Sequence, residues 1–221
     1  LLHASGNTVE VEARVADPRW RAAVTPGLRS DLAFARHRWG EWLAWLWPAS
    51  YLRGGVASFI LAALAAALWG WFCWRLGGEP RRLAAAFLLG ALSIYPTHVL
   101  IHLEEVIPAL RQSGDLLGDA VYFVLGVGLR EEAAKLLCFL PLLLLLRRGK
   151  ARGEGLVLGA VVGLGFAAVE NVGYFDGGSL ATTLTRFLTA NFLHISLTAV
   201  AAEAVTEAVR AGKDGSAARA V

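Results

Sequence analysis

The stretch at residues 126–148, GVGLREEAAKLLCFLPLLLLLRR, sets Arg130, Glu131, Glu132 and Lys135 inside a hydrophobic run that no soluble surface helix would carry. Taken with the apolar residues upstream at 116–125, it makes a span of roughly 30 residues, enough to cross a hydrocarbon core about 30 Å thick. Charges near the centre of a bilayer cost roughly 3 kcal/mol or more each unless they face a cavity or a partner. Four ionisable side chains in such a run therefore point to a functional site whose other members lie on neighbouring helices.

The rest of the chain agrees with a membrane setting. Of its 221 residues, 56% are hydrophobic and 18% charged, and the mean hydropathy is +0.52. Apolar runs recur at 56–76, 83–103, 116–148, 156–175 and 184–209, which predicts an all-α polytopic transmembrane helical bundle. Three segments are expected: 1–50, a soluble or interfacial N-terminal segment; 51–210, the transmembrane domain that carries the site; and 211–221, a disordered tail. In the first, alternation in NTVEVEARVADPRW predicts a short strand, and 28–47 reads as an amphipathic helix. There Trp39, Trp42, Trp45 and Trp47 would form a belt at the membrane surface, ended by Pro48. The formal charge of +3 is modest, and the basic residues cluster between apolar runs. Arg75, Arg81, Arg82, Arg147, Arg148, Lys150, Arg152 and the C-terminal Arg210, Lys213 and Arg219 fall on one side, which the positive-inside rule assigns to the cytoplasm, while the opposite loops hold only Arg111 and Arg186. Such clusters set orientation and make no case for nucleic acid. Cys73 and Cys138 lie in apolar runs, read as buried thiols without a disulfide framework or metal-ligand spacing.

Polar residues reappear on the later spans. The run at 156–175 is preceded and crossed by Gly155, Gly159 and Gly163, a small-residue stripe that lets a neighbouring helix approach, and it carries Glu170 and Asn171. The run at 184–209 carries Arg186, Asn191, His194, Thr198 and Glu203. His98 and His102 share a helix face with Glu105 one turn beyond, a possible ligand spacing, although a polar cap at the membrane surface accounts for the same residues. At 1.5 Å per residue, Glu131, Glu170 and His194 lie about 18, 8 and 12 Å along their helices from one membrane surface, near enough for tilted helices to share a pocket. Lys135 is i+4 to Glu131 and i+3 to Glu132, so it can neutralise one and leave the other unpaired on its own helix. If Glu170 lies beside that leftover carboxylate, repulsion favours one proton shared between the two, an arrangement that holds and activates a water. His194 and Thr198, four apart, present an imidazole and a hydroxyl to one spot, as donors to an oxyanion would. A buried ion-pair network that only ties helices together is the alternative use of these groups.

The motifs themselves resemble a known pattern. Glu131-Glu132-Ala133-Ala134-Lys135 resembles EExxK, Phe166-Ala167-Ala168-Val169-Glu170-Asn171 resembles FxxxEN, and His194-Ile195-Ser196-Leu197-Thr198 resembles HxxxT. In this order, each on its own span, they are similar to the motifs of the PrsW family, glutamic-type intramembrane proteases related to CAAX prenyl endopeptidases. The resemblance covers about residues 83–202. It implies an endopeptidase of a cell membrane, the bacterial inner membrane, embedded in the lipid bilayer and cutting membrane-anchored protein substrates such as single-span anti-sigma factors. It further implies that Glu131 activates water with Glu170, in the place of a histidine of the CAAX enzymes. By the same resemblance His194 and Thr198 stabilise the oxyanion and Lys135 pairs with Glu132, while Phe166 and Asn171 support the motif. Thr198 stands where the CAAX enzymes have asparagine. Three readings stay open: a metal-independent, water-activating protease; a protease in which the same carboxylates and His194 bind a divalent metal; and a non-catalytic proton or ion relay or helix-binding scaffold.

Overall fold

The computed structural model describes residues 8–20, 26–44, 55–104, 114–146, 153–175 and 178–218, and every regular element among them is helical. The chain divides into two compact units, Leu1–Ala57 and Ser58–Val221.

The first unit holds α1 (Thr8–Ala16), a 3-10 turn (Pro18–Trp20), α2 (Pro26–Ala35) and α3 (Trp39–Ala44). Where alternation predicted a strand there is a helix. Val9 is exposed, whereas Val11 and Val15, four apart, are half-buried, and Glu12 beside them pairs with Arg36 at 3.0 Å and Arg38 at 3.2 Å. These contacts follow a helical period, which a valine repeat of so few residues does not outweigh. The single helix expected over 28–47 is two helices, because His37 takes a left-handed backbone (φ 54°) between them. That break folds Trp39 and Trp42 back onto Phe34, with ring centroids at 5.3 and 5.5 Å. Trp42 is buried in this aromatic cluster and is not part of a surface belt. Trp45, Trp47 and Pro48 lie outside the described residues.

The second unit comprises α4 (Val56–Arg75), α5 (Pro80–Leu92), α6 (Ile94–Glu104), α7 (Leu116–Val121), a π-helical segment (Tyr122–Gly128), α8 (Leu129–Leu146) and α9 (Glu154–Phe175). It ends with α10 (Leu180–Thr185), a second π-helical turn (Arg186–Ala190) and α11 (Asn191–Ala218). Among the described residues, four stretches are long and apolar enough to cross a membrane: Val56–Arg75, Pro80–Ile101, Glu154–Phe175 and Leu180–Gly212. The central run at 116–146 is helical throughout, but its charged residues set it apart from those four. The span expected at 83–103 breaks at Ser93. Pro96 has no N–H to offer the carbonyl four residues back, and Ser93 and Thr97 turn their hydroxyls to the carbonyls of Gly90 (2.6 Å) and Ser93 (2.9 Å). At the other end, residues 211–218 continue α11 where a disordered tail was expected.

α9 is the axis of the unit. Within its apolar window 72% of residues are buried, against 22% to 33% in the other three. Glycine explains how it is enclosed. Any Cβ on Gly159 would meet Ala202 of α11, and one on Gly155 would come within 2.6 Å of Thr206 Oγ1. On the opposite face Gly165 sits against the carbonyl of Phe87, and Gly90 of α5 against that of Val162. In lipid, helices associate through such close packing because burying apolar surface gains little. The core around α9 draws Phe139, Leu142 and Leu146 from α8, Leu158 and Val162 from α9 itself, Ala86 from α5, Ala202 from α11 and Cys73 from α4. Both cysteines are free thiols; Cys73 is buried and Cys138 half-buried.

Candidate active site

Three helices bring the charged residues together. On α8, Lys135 is fully buried and its Nζ donates to Glu132 Oε1 at 2.8 Å, one turn back. The other oxygen of Glu132 accepts from Thr198 Oγ1 of α11, also at 2.8 Å. Glu132 is thus tied at both oxygens. Glu131 stands further off, its Oε2 3.8 Å from Lys135 Nζ and 3.9 Å from His194 Nδ1, beyond hydrogen-bond length of either. A buried ammonium needs several partners to offset its desolvation. Lys135 also has the face of Phe166, with Nζ 4.2 Å from the ring centroid, and His194 Nδ1 at 2.8 Å.

That last contact assigns the imidazole proton. An ammonium only donates, so Nδ1 of His194 must accept, leaving the ring hydrogen on Nε2. Nε2 then donates to Glu170 Oε2 on α9, 3.1 Å away, while the imidazole packs edge-on against Phe166 at 5.2 Å between centroids. Glu170 Oε2 also receives the guanidinium of Arg186. Arg186 lies over the ring of Tyr174, 3.5 Å from its centroid, and donates through Nε to Asn171 Oδ1 at 3.1 Å. Asn171 Nδ2 in turn donates to Asn191 Oδ1 at 3.0 Å. One hydrogen-bonded chain therefore runs from Thr198 through Glu132, Lys135, His194, Glu170 and Arg186 to Asn171 and Asn191. All eight side chains flagged by the motifs, Glu131, Glu132, Lys135, Phe166, Glu170, Asn171, His194 and Thr198, lie on or beside this chain.

Two features depart from the sequence reading. The Thr198 hydroxyl gives its hydrogen to Glu132, so it holds that carboxylate and has none left for an oxyanion. Arg186, read from the sequence as a loop charge, is a direct partner of Glu170. The signal was there, since an arginine within an apolar stretch has to find an acid, but the π-helical winding that turns it inward was not legible. Elsewhere, Thr97 is buried and bonded to the Ser93 carbonyl, and Glu105 and the side chain of His102 lie outside the described residues.

Glu131, Glu170 and His194 place one ligand atom each within 4.8 Å of one another. Two carboxylates and an imidazole are a count and spacing that suit a divalent ion. The charges around them compete with one. Lys135 on Nδ1 leaves the proton on Nε2, the nitrogen beside Glu170, and Arg186 already occupies the Glu170 oxygen. A metal bound through Glu170 Oε2 and His194 Nε2 would have to take the place of the Arg186 contact and of the Nε2 proton, whereas Glu170 Oε1 carries no hydrogen bond from Arg186.

The comparisons with known proteins agree with the motifs. A family model described as PrsW family intramembrane metalloprotease matches residues 78–221. Neither a curated protein nor a solved structure matches. The matched region contains all the motif residues and sets aside the relay and scaffold readings. Covering well over half of the chain, it shows that this multi-pass membrane protein belongs to the PrsW family and is an intramembrane protease, a hydrolase acting on membrane-embedded substrates.

Proposed function

We propose that the chain cuts a membrane-anchored substrate, such as a single-span anti-sigma factor, with a water activated by Glu131 and without a metal step. The supporting observation is the unequal use of the adjacent carboxylates. Glu132 is tied by Lys135 and Thr198, whereas Glu131 stands off both Lys135 and His194 by a distance that one bridging water spans. Glu131 takes a proton from that water as its oxygen bonds to the scissile carbonyl carbon. The Lys135 ammonium, 3.8 Å from Glu131 and with a third N–H beyond those it gives to Glu132 and His194, lowers the energy of the oxyanion. As the C–N bond breaks, Glu131 returns the proton to the leaving amine. Glu170, held by Arg186, fixes the ring of His194.

The test is cleavage of a single-span substrate in proteoliposomes by the wild type and by Glu131→Gln, Glu170→Gln and His194→Ala. Each substitution is expected to lower the rate by about a hundredfold or more. Undiminished cutting by all three would remove the site. The metal reading has its own support in the three donors gathered within 4.8 Å, and in the description the family carries. Full cleavage by protein stripped of metal by a chelator, with metal content measured on the same sample, excludes it. Loss of cleavage restored by a divalent ion would establish it.

A further inference from the structure

The junction between α10 and α11 is wound as a π-helix, and the bond that defines it runs from the Asn191 N–H to the Arg186 carbonyl, five residues back. In a regular helix that N–H would serve Phe187. The Phe187 carbonyl is instead taken up by two side chains, Asn191 Nδ2 at 2.9 Å and the indole Nε1 of Trp69 at 3.0 Å. Trp69 belongs to α4, outside the matched residues 78–221, and its ring also lies against Phe192 of α11, 6.2 Å between centroids.

The widened turn bears directly on the site. A regular helix turns about 100° per residue, so Arg186 and His194 would point about 80° apart. Absorbing one residue in a π turn brings them to within about 20° of each other. Both then reach the same atom, Glu170 Oε2. Were the turn to rewind as a regular helix, Arg186 would swing away from that oxygen. A carbonyl stranded in a water-poor interior carries a penalty that favours such rewinding, and side-chain donors remove it.

We propose that Trp69 is a positioning residue for proteolysis: from outside the family-matched region, its indole N–H holds the Arg186–Ala190 turn in π register and keeps Arg186 and His194 converged on Glu170. The inference rests on the reading of Glu170 and His194 as members of the site. It is tested with the whole chain in proteoliposomes, measuring kcat and KM on a single-span substrate for Trp69→Phe. A second variant carries β-(3-benzothienyl)alanine at position 69, which keeps the ring shape and lacks the N–H. Both should lower kcat about tenfold with KM within about twofold of wild type. If Trp69 serves only as packing, the benzothienyl variant keeps wild-type kcat, and that result overturns the proposal even if Trp69→Phe folds poorly. In an Arg186→Gln background the benzothienyl substitution should cost less than about twofold more, because its target is gone; a further full tenfold loss would also count against the idea. Glu170→Gln in the same assay separates the two readings. An active Glu170→Gln takes both down, whereas an inactive one beside a wild-type benzothienyl variant removes this inference alone.

Discussion

Gly163 of α9 faces the backbone carbonyl of His194 on α11 so closely that a methyl group at position 163 would overlap the carbonyl oxygen and come within 3.0 Å of Thr198 Oγ1. The absence of a side chain there lets α11 approach until its imidazole reaches Glu170 and Lys135. Gly163→Ala should therefore push α11 outward and lower the cleavage rate by at least about tenfold, since a displacement of about 1 Å in a site costs that or more. Gly70→Ala is the control: its Cβ would meet Leu164 Cδ2 at 3.6 Å, an ordinary contact. Cleavage rates of both variants, with melting temperatures from purified protein, check this. Wild-type activity in Gly163→Ala would mean that this contact does not position His194.

Lys135 has no exposed surface and serves Glu132, His194 and the Phe166 face at once. Lys135→Met matches its length and removes its charge, leaving Glu132 with only Thr198 and His194 Nδ1 without a donor. Breaking a buried charge network by one member costs about 3 to 5 kcal/mol. The variant should unfold at clearly lower denaturant in mixed micelles and show no measurable cleavage. Wild-type stability would contradict the assigned network.

Much of this arrangement could be read from the sequence, and the reasons differ by element. Glu131, Glu132 and Lys135 stood out because charge in an apolar run has to be compensated, and Gly155, Gly159 and Gly163 because a four-residue glycine spacing leaves one helix face bare. What escaped depends on single-residue geometry. A π turn changes the phase of a helix without changing its composition, so regular helical spacing sets Arg186 and His194 about 80° apart and gives no sign that they share a partner. The break at His37, which splits the expected helix, comes from one left-handed residue that no periodicity announces. The helix α1 shows the converse, in that two Val–Glu repeats mimic a strand while Val11 and Val15 pack with helical spacing.

The opposite end of α11 makes a separate prediction. Glu203 accepts from the backbone N–H groups of Gly153 (3.1 Å) and Leu156 (2.9 Å), capping the N-terminus of α9 from a neighbouring helix. A carboxylate there satisfies orphan donors and meets the positive end of the helix dipole. Glu203→Ala should cost about 1 to 2 kcal/mol of stability. It lies about 14 Å along the helix from His194, so cleavage at a temperature where the protein remains folded should change by less than about twofold. A lowered melting temperature with an unchanged rate is the expected pattern, and a collapse of the rate without a change in melting would contradict it.

Thr198 offers the sharpest choice between two roles for one hydroxyl. As an oxyanion donor it would contribute to rate and be indifferent to Glu132; as the partner of Glu132 it contributes to the fold of the site and acts through that carboxylate. A hydroxyl bonded to a charged group is worth roughly 1.5 to 3 kcal/mol. Thr198→Val should lose about that much unfolding free energy in mixed micelles, and Thr198→Ser, which keeps the donor, much less. In a double-mutant cycle, Thr198→Val should cost little once Glu132→Ala has removed its acceptor, giving a coupling energy of about 1 to 2 kcal/mol. Full additivity would return Thr198 to the oxyanion role, because the hydrogen would then have no measurable engagement with Glu132.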